Sequence, residues 1–264
     1  LLNYNIPEAT QLCRLSTISF HLAHTDDDLS CQAALHWLYP EGFNSESISN
    51  SCILAARNDT GDKWNKLVQD MNPDGSIVEY LSRDTLCEVD DPHDILKAMM
   101  TTEVLNNFNN NGIPPHTLQL KPGDICLVLR NLSKRNGLVT NRRVRILELN
   151  MNSIKIQTLG DHPKVTTIPR IRFKFRLPYG DSFQVMRTQF PLRLAYCMSL
   201  NKSQGQTFSG RVLLDVTTPP FAHGHLYVAL SRITNHSNIN LVLSREQIFD
   251  GAPIVLNTTY PEIL

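Results

Sequence analysis

The stretch Ala195-Tyr-Cys-Met-Ser-Leu-Asn-Lys-Ser-Gln-Gly-Gln-Thr-Phe208 decides the fold predicted for this chain. An apolar run from Leu192 to Leu200, with one charge at Arg193, ends there in a cluster of small polar residues. This pattern is typical of a buried strand that delivers polar groups to the edge of a sheet. Exposed backbone N–H groups in the loop that follows, together with the ammonium group of Lys202, are suited to bind phosphate oxygens.

The second informative stretch is Leu226-Tyr-Val-Ala-Leu-Ser-Arg232, in which apolar residues recur at helical spacing. It predicts a helix from His223 to Ile233 with one conspicuous cation, Arg232. A guanidinium group stays protonated and presents a fixed fork of donors, so phosphoryl-transfer sites use it to neutralise charge on a γ-phosphate. Most helical arginines are instead solvated or paired with a carboxylate, so this role depends on the pairing with the first stretch.

Both stretches resemble known helicase motifs. Asn201-Lys-Ser-Gln-Gly-Gln-Thr207 and Tyr227-Val-Ala-Leu-Ser-Arg232 resemble motifs V and VI of the Pif-type, RecD-related superfamily 1 DNA helicases. Further stretches resemble, in family order over residues 52–243, the helicase part of Helitron transposon proteins. These are Leu105-Asn-Asn-Phe108, Gly112-Ile-Pro-Pro-His-Thr-Leu118, Leu129-Arg-Asn-Leu132, Gly137-Leu-Val-Thr-Asn-Arg142, Ile168-Pro-Arg170, Arg187-Thr-Gln-Phe-Pro191 and His223-Gly-His-Leu-Tyr227.

The resemblance implies the C-terminal motor half of an ATP-dependent 5′-to-3′ DNA helicase, in which ATP lies between two RecA-like lobes and single-stranded DNA lies across them. The implied site residues are Arg232 as the catalytic cation, Gln204, Gly205 and Arg57 at the nucleotide, and Lys202, Ser203 and Thr207 at the DNA backbone.

The phosphate-wrapping loop of such a motor is not found in this sequence. A Walker A loop requires Gly-Lys-Ser/Thr, and no Gly-Lys dipeptide occurs in the 264 residues. ATP and Mg²⁺ are therefore expected to be bound mainly by an N-terminal lobe absent from this chain, which alone is expected to be inactive. A truncated, non-catalytic DNA-binding remnant is the alternative, and a purely structural or partner-binding domain is a third. A Gly-Lys-Thr lobe encoded upstream would decide between the first two.

The expected fold is α/β: a second RecA-like lobe with a mostly parallel, doubly wound sheet, and an inserted small SH3-like β-barrel of the 2B type. Residues 46–116 and 191–245 are assigned to the lobe and 117–190 to the barrel. Residues 1–45 are assigned to an inter-lobe connection without chemistry, and 246–264 to a C-terminal tail. The acidic residues 84–94 are interpreted as an exposed loop, and Asp215 as the end of a strand rather than a Mg²⁺ ligand.

The barrel is predicted because short alternating apolar bursts, split by Gly and Asn turns, begin at Thr117. Residues 133–137 have turn composition, which predicts a hairpin tip that projects cations. The candidate contacts to single-stranded DNA or a duplex junction are Lys134, Arg135, Arg142 and Arg143. The competing interpretation is that these are ordinary surface charges. Asn131, between apolar neighbours, is expected to cap a turn.

The net charge of zero conceals an asymmetry, because residues 1–100 carry six Lys/Arg against sixteen Asp/Glu and residues 101–264 carry nineteen against nine. Nucleic-acid affinity depends on local basic surface. The six cysteines form no Cys-x-x-Cys pair, and His223 and His225 are not spaced to converge on a metal, so no metal site is expected. The sequence shows no targeting or membrane-spanning segment; an intracellular protein, nuclear if eukaryotic, is expected.

Overall fold

The computed structural model describes residues 10–15, 18–22, 28–42, 47–73, 75–87, 101–108, 112–160, 162–176 and 184–258. The chain divides into two compact units. Unit 1 comprises Leu1–Asn72 and Ala195–Leu264, and unit 2 comprises Pro73–Leu194. Unit 2 is thus inserted into the sequence of unit 1.

The strands, in chain order, are β1 (Thr10–Arg14), β2 (Ser19–Leu22), β3 (Cys52–Ala55), β4 (Val78–Leu81), β5 (Arg83–Leu86), β6 (Thr117–Leu120), β7 (Ile125–Val128), β8 (Arg143–Leu149), β9 (Ser153–Thr158), β10 (Val165–Pro169), β11 (Ile171–Arg176), β12 (Gln184–Gln189), β13 (Leu192–Leu194), β14 (Cys197–Ser199), β15 (Val212–Asp215), β16 (Ile239–Leu243), β17 (Ile248–Phe249) and β18 (Ala252–Thr258). The α-helices are α1 (Asp28–Leu38), α2 (Ser47–Asn50), α3 (Asn58–Met71), α4 (Thr102–Asn106) and α5 (His225–Leu230), and the 3-10 helices are η1 (Leu200–Ser203), η2 (His236–Asn238) and η3 (Arg245–Gln247).

Unit 1 is built on a parallel sheet of five strands in the order β14-β3-β15-β16-β2. Every residue of β3, β15 and β16 is buried, as expected where helices cover both faces of a parallel sheet. The chain runs from β3 to β14 on one side and returns to β15 on the other side of β3. This reversal makes the sheet doubly wound, as predicted, and ligands bind such sheets beyond the carboxyl ends of the strands.

Helix α3 is fixed to this sheet by both apolar and polar contacts. Its side chains Trp64 and Val68 are buried. The Asn65 amide nitrogen donates to the Cys197 carbonyl at 3.2 Å, and its oxygen accepts the Cys197 N–H at 2.8 Å. Asn65 therefore satisfies backbone groups of the edge strand β14 that no further strand pairs with.

The two ends of the chain are more structured than expected. β2, within the region assigned to a connection, is an edge strand of the parallel sheet and pairs with β16. The predicted tail is wrong for residues 248–258, because β18 pairs antiparallel with both β1 and β17. The pairings of β2 with β16 and of β1 with β18 join segments more than 200 residues apart, such as Thr10 with Thr258, which local patterning does not reveal. Residues 259–264 lie outside the described residues.

Unit 2 is an all-antiparallel β module with one short helix, α4, among its described residues. It contains a five-stranded sheet in the order β10-β9-β8-β7-β13, a three-stranded sheet β11-β12-β5 and the pair β4-β6. β9 alternates buried and half-buried residues, and its Ile154 and Ile156 enter an apolar core with Phe190 and Leu192. Because side chains alternate between the two faces of a strand, each strand contributes one of its faces to the core.

The observed division of the chain lies at residues 72 and 194, not at 116 and 190. β4 pairs with β6, and β5 pairs with β12, so residues after Pro73 complete the sheets of unit 2. The acidic loop expected at 84–94 is also wrong at its start, since Asp84 lies in β5 and is buried. Residues 88–94 lie outside the described residues.

Candidate nucleotide and DNA interface

The loop that follows β14 is organised by its own polar groups. We call residues 201–208 the motif V loop. Ser203 Oγ donates to the Leu200 carbonyl at 2.7 Å, and the Gln206 N–H donates to the Ser203 carbonyl at 3.0 Å. Gly205 has a φ of +78°, a left-handed conformation that an L side chain would strain. The loop is therefore a defined turn at the carboxyl edge of the sheet.

The structure separates the predicted residues of this loop by exposure. Gln204, Gly205 and Thr207 are exposed and Lys202 is half-buried. Ser203 is fully buried, and its hydroxyl is engaged by Leu200. The expectation that Ser203 faces a DNA backbone is therefore wrong, because the hydroxyl closes the 3-10 turn instead.

Helix α5 is shorter than predicted, and Arg232 lies in the turn after it. The helix begins at His225, directly after its N-cap residue Gly224, whose φ is +69°. The Arg232 guanidinium is half-buried and donates to three neutral oxygens. Nε lies 3.2 Å from the Val228 carbonyl, Nη1 lies 3.4 Å from the Gln206 carbonyl, and Nη2 lies 2.9 Å from Ser231 Oγ. Arg232 thus contacts both its own helix and the motif V loop.

The motif V loop and α5 are joined at both ends. At the carboxyl edge of the sheet, His225 Nε2 lies 2.9 Å from Asn201 Oδ1. At the other end, the Phe208 N–H donates to the Arg232 carbonyl at 2.9 Å, and Phe208 forms a parallel bridge with Ile233. The loop and the helix therefore run side by side in the same direction.

His225 is the buried member of this arrangement. Its ring is 4% exposed, and Phe221 packs edge-on against it with ring centroids 5.2 Å apart. Burial lowers the pKa of His225, because the charged imidazolium loses hydration. No group of three or more His, Cys, Asp or Glu among the described residues is placed to hold a metal ion.

Arg57 and Asp215 lie at the carboxyl ends of the neighbouring strands β3 and β15. Arg57 follows β3 at the N-cap position of α3, and its exposed Nε lies 3.8 Å from Asp59 Oδ1. Asp215 ends β15, where Oδ2 accepts from Trp64 Nε1 at 2.7 Å and Oδ1 accepts the Thr217 N–H at 3.0 Å. Asp215 is therefore the last residue of its strand, and both of its carboxylate oxygens accept hydrogen bonds.

The hairpin tip predicted in unit 2 is present and carries exposed cations. Ser133 bridges Leu138 across the turn, and Lys134 and Arg135 between them are exposed. Nearby, Lys164 Nζ donates to the Arg135 carbonyl at 2.9 Å. Lys164 is also exposed, so it adds a cation to this tip that the sequence did not indicate. It lies about thirty residues further along the chain, on the β9–β10 connection.

The other two cations of the predicted cluster, Arg142 and Arg143, differ in their exposure to solvent. Arg142 is exposed, and its Nη2 donates to the Leu159 carbonyl. Arg143 is 5% exposed, so its assignment as a DNA contact is wrong; the first two residues of β8 are both buried. Asn131 Oδ1 accepts the Thr140 N–H at 2.8 Å and the Thr140 hydroxyl at 3.1 Å, which confirms its predicted turn-stabilising role.

Comparison with known proteins agrees with this arrangement of elements. Residues 103–149 match the family model for the 2B domain of the DNA helicase Pif1. The ATP-dependent DNA helicase PIF1 of Danio rerio is 33% identical over 119 residues, which are 44% of this chain and 18% of that protein. The Pif1 helicase structure from Candida albicans superposes with a TM-score of 0.55 at 22% identity, covering 80% of this chain and 53% of that one. A Bacteroides Pif1 structure in complex with ADP-AlF3 and single-stranded DNA gives a TM-score of 0.54 at 18% identity, covering 89% and 48%.

The fold is that of a RecA-like lobe with an inserted 2B module, the class predicted from the sequence. In sequence and in fold the chain is similar to Pif1 helicases. The aligned part of the chain spans 18% of the Danio rerio relative, and the chain covers 53% of the Candida albicans structure. No helix in the described part of the chain is long and apolar enough to cross a membrane.

Proposed function

We propose that this chain is the second motor lobe and 2B module of an ATP-dependent 5′-to-3′ DNA helicase of the Helitron type. The observation that carries the proposal is the contact between Arg232 Nη1 and the Gln206 carbonyl at 3.4 Å. It links the cation proposed to act at the nucleotide to the loop proposed to act at the DNA. A movement of either group is therefore expected to displace the other.

Arg232 is the proposed catalytic cation. Its three hydrogen bonds are to uncharged oxygens, and its side chain is only half-buried. A phosphate carries a full negative charge and can accept two parallel bonds from a guanidinium, so it binds this group more strongly than uncharged oxygens do. A γ-phosphate held by another lobe would therefore draw the guanidinium away from Val228 and Ser231, and this movement would release its contact with the motif V loop.

The motif V loop is the proposed transmitter between nucleotide and DNA. Gln204 and Gly205 are exposed at its tip and are proposed to sense the nucleotide. Lys202 and Thr207 flank the tip and are proposed to contact the backbone of a single strand, where a cation and a hydroxyl both bind phosphate oxygens. Arg57, exposed at the end of β3, is a further candidate at the nucleotide.

The hairpin tip of unit 2 is a second proposed DNA contact. Lys134, Arg135 and Arg142 are exposed there, and cations that track a backbone give sequence-independent, salt-sensitive binding. A single strand and a duplex junction are both suited to such a surface. The tip is proposed to act on DNA phosphates only, since no base-reading arrangement is needed for unwinding.

ATP and Mg²⁺ are proposed to be held mainly by a lobe that the 264 residues do not include. No group of three or more His, Cys, Asp or Glu among the described residues is placed to hold a metal ion, and the sequence contains no Gly-Lys dipeptide. Arg232 and residues 204–205 would approach the bound nucleotide from the opposite side. The second candidate function is a non-catalytic DNA-binding remnant of such a helicase, for which the exposed cations of the hairpin tip would suffice.

ATPase and DNA-binding assays of the purified 264-residue chain test these proposals. We expect no ATP hydrolysis with or without DNA, and single-stranded DNA binding that weakens steeply with salt. Robust hydrolysis would overturn the two-lobe assignment, and the absence of DNA binding would overturn both candidate functions. ATPase that appears when a Walker A lobe is joined upstream, and 5′-to-3′ unwinding with it, would favour the helicase over the remnant.

A further inference from the structure

The environment of His225 is unusual for a core residue. The ring is 4% exposed, and its Nδ1 has no hydrogen-bond partner among the described residues. A buried polar atom without a partner destabilises the folded state. An apolar side chain of similar size would avoid that penalty, so the packing of unit 1 does not explain why a histidine is present.

Among the described residues, the hydrogen bond of the His225 side chain is to a residue of the motif V loop. Its Nε2 lies 2.9 Å from Asn201 Oδ1, and an amide oxygen only accepts hydrogen bonds. The imidazole proton therefore resides on Nε2, with Nδ1 left as the bare nitrogen. This tautomer accounts for the satisfied and the unsatisfied nitrogen together.

The bond between His225 and Asn201 attaches one end of the motif V loop to α5. The motif V loop is bonded to the far end of α5 through Phe208 and Arg232. His225 and Asn201 close the near end, so the exposed tip around Gly205 is supported on both sides. Loss of the near bond removes the attachment of the loop to the start of α5.

We propose that His225 is a positioning residue that, through Asn201, holds the motif V loop against α5 and so presents Lys202 and Thr207 to a DNA strand in fixed register with Arg232. The inference rests on the proposed function for the part that concerns DNA. The attachment of the loop to the helix is independent of any ligand.

Three variants of the 264-residue chain test this role: His225→Leu, His225→Gln and Asn201→Ala. The glutamine amide nitrogen reaches the place of Nε2 and donates in the same way, whereas leucine fills the core without a donor. The readouts are thermal stability, amide hydrogen exchange of residues 200–208 and affinity for single-stranded oligonucleotides.

We expect His225→Leu to leave the melting temperature equal or higher, to accelerate exchange in the motif V loop and to weaken DNA binding by about 2- to 10-fold, the range for one lost hydrogen bond. Asn201→Ala should do the same, and the double variant should be no worse than either single one. His225→Gln should retain both loop protection and affinity.

If amide hydrogen exchange of residues 200–208 in His225→Leu equalled that of the unaltered chain, the inference would be overturned, whether or not the unaltered chain binds DNA. Equal damage in His225→Gln and His225→Leu would overturn it too, because the ring's shape rather than its donor would then matter. Absence of DNA binding by the unaltered chain is a different result: it overturns the proposed function and the DNA-presenting part of the inference, and leaves the exchange comparison to decide the attachment.

Discussion

Arg187 and Asp84 form a bidentate ion pair in which both side chains are completely buried. Arg187 Nε lies 3.0 Å from each carboxylate oxygen, and Nη2 lies 2.6 Å from Oδ2. The other guanidinium donors reach the carbonyls of Leu105, Phe108 and Pro114 at 3.0 to 3.2 Å. One arginine on β12 therefore organises β5 and the whole segment around α4.

Removing one partner of this pair is expected to destabilise unit 2 strongly. Arg187→Met leaves the Asp84 carboxylate buried without its counter-ion, and changes of this kind cost about 3–5 kcal/mol. Urea unfolding followed by far-UV circular dichroism measures the effect. Both tryptophans, Trp37 and Trp64, belong to unit 1, so their fluorescence reports the other unit.

The matched control for Arg187→Met is the double variant Arg187→Met, Asp84→Leu. Replacing both charges by apolar groups removes the unpaired carboxylate, so much of the lost stability should return. A double variant as unstable as the single one would show that the carbonyl contacts of Arg187, rather than its ion pair, maintain unit 2.

Arg232→Lys is expected to abolish ATP hydrolysis in a polypeptide extended to include a Walker A lobe. Lysine keeps the charge but loses the fork of donors, and an arginine finger contributes about 10³- to 10⁵-fold to kcat. Steady-state ATPase measures the loss. Arg245→Lys, on the exposed 3-10 helix η3, is the control and should hydrolyse normally.

Replacement of Lys134, Arg135 and Arg142 by alanine is expected to weaken single-stranded DNA binding by the 264-residue chain. Three lost phosphate contacts should reduce the slope of log K against log salt by about 2. Fluorescence anisotropy at several salt concentrations measures this slope. Arg143 is left unchanged because its side chain is buried.

The control for this triple variant removes the same charge elsewhere on unit 2. Arg172, Lys174 and Arg176 alternate along β11 and are exposed. If their replacement lowered the affinity and slope equally, net charge rather than the hairpin tip would govern binding. A larger loss from the tip variant supports the tip as a contact.

The stability of unit 1 is expected to depend on the protonation of His225. Its pKa is lowered in the folded state by burial, so the unfolded chain binds the proton more readily. Folding is unaffected by this group above the unfolded pKa of 6.5, and stability is lost as the pH falls below that value. His225→Gln should therefore lose less stability between pH 7 and pH 5, as measured by tryptophan fluorescence during urea unfolding.

A pH dependence of unfolding in His225→Gln equal to that of the unaltered chain would contradict this linkage. His236→Gln, the same substitution at an exposed position, is the matched comparison.

The parts of the fold that were predicted are those whose signal is local. The apolar runs of β3, β15 and β16, the amphipathic helix α3 and the turn at residues 133–137 were all readable from near neighbours, because periodicity and turn chemistry act over a few residues. Ordered motifs indicated the class of protein. Arg232 and the exposed loop residues were proposed as site residues from the same motifs.

The features of the structure that local patterns did not reveal depend on contacts between distant segments. Arg187 lies in a quoted motif, yet its partner Asp84 is 103 residues away. The same holds for the pairing of β1 with β18, for the boundary of unit 2 at Pro73, and for the bond between His225 and Asn201. Ser203 and Arg143 are polar residues of types usually found on the surface. They are buried only because of how distant segments pack around them.

The amino-acid sequence was thus sufficient for the class of fold and for the residue types suited to phosphate. Tertiary structure alone decided which of those residues are accessible, and it joined Arg232 and His225 to opposite ends of one loop. The physical reason is that propensity and periodicity arise within a segment, whereas burial and hydrogen-bond partners arise between segments that meet only after folding.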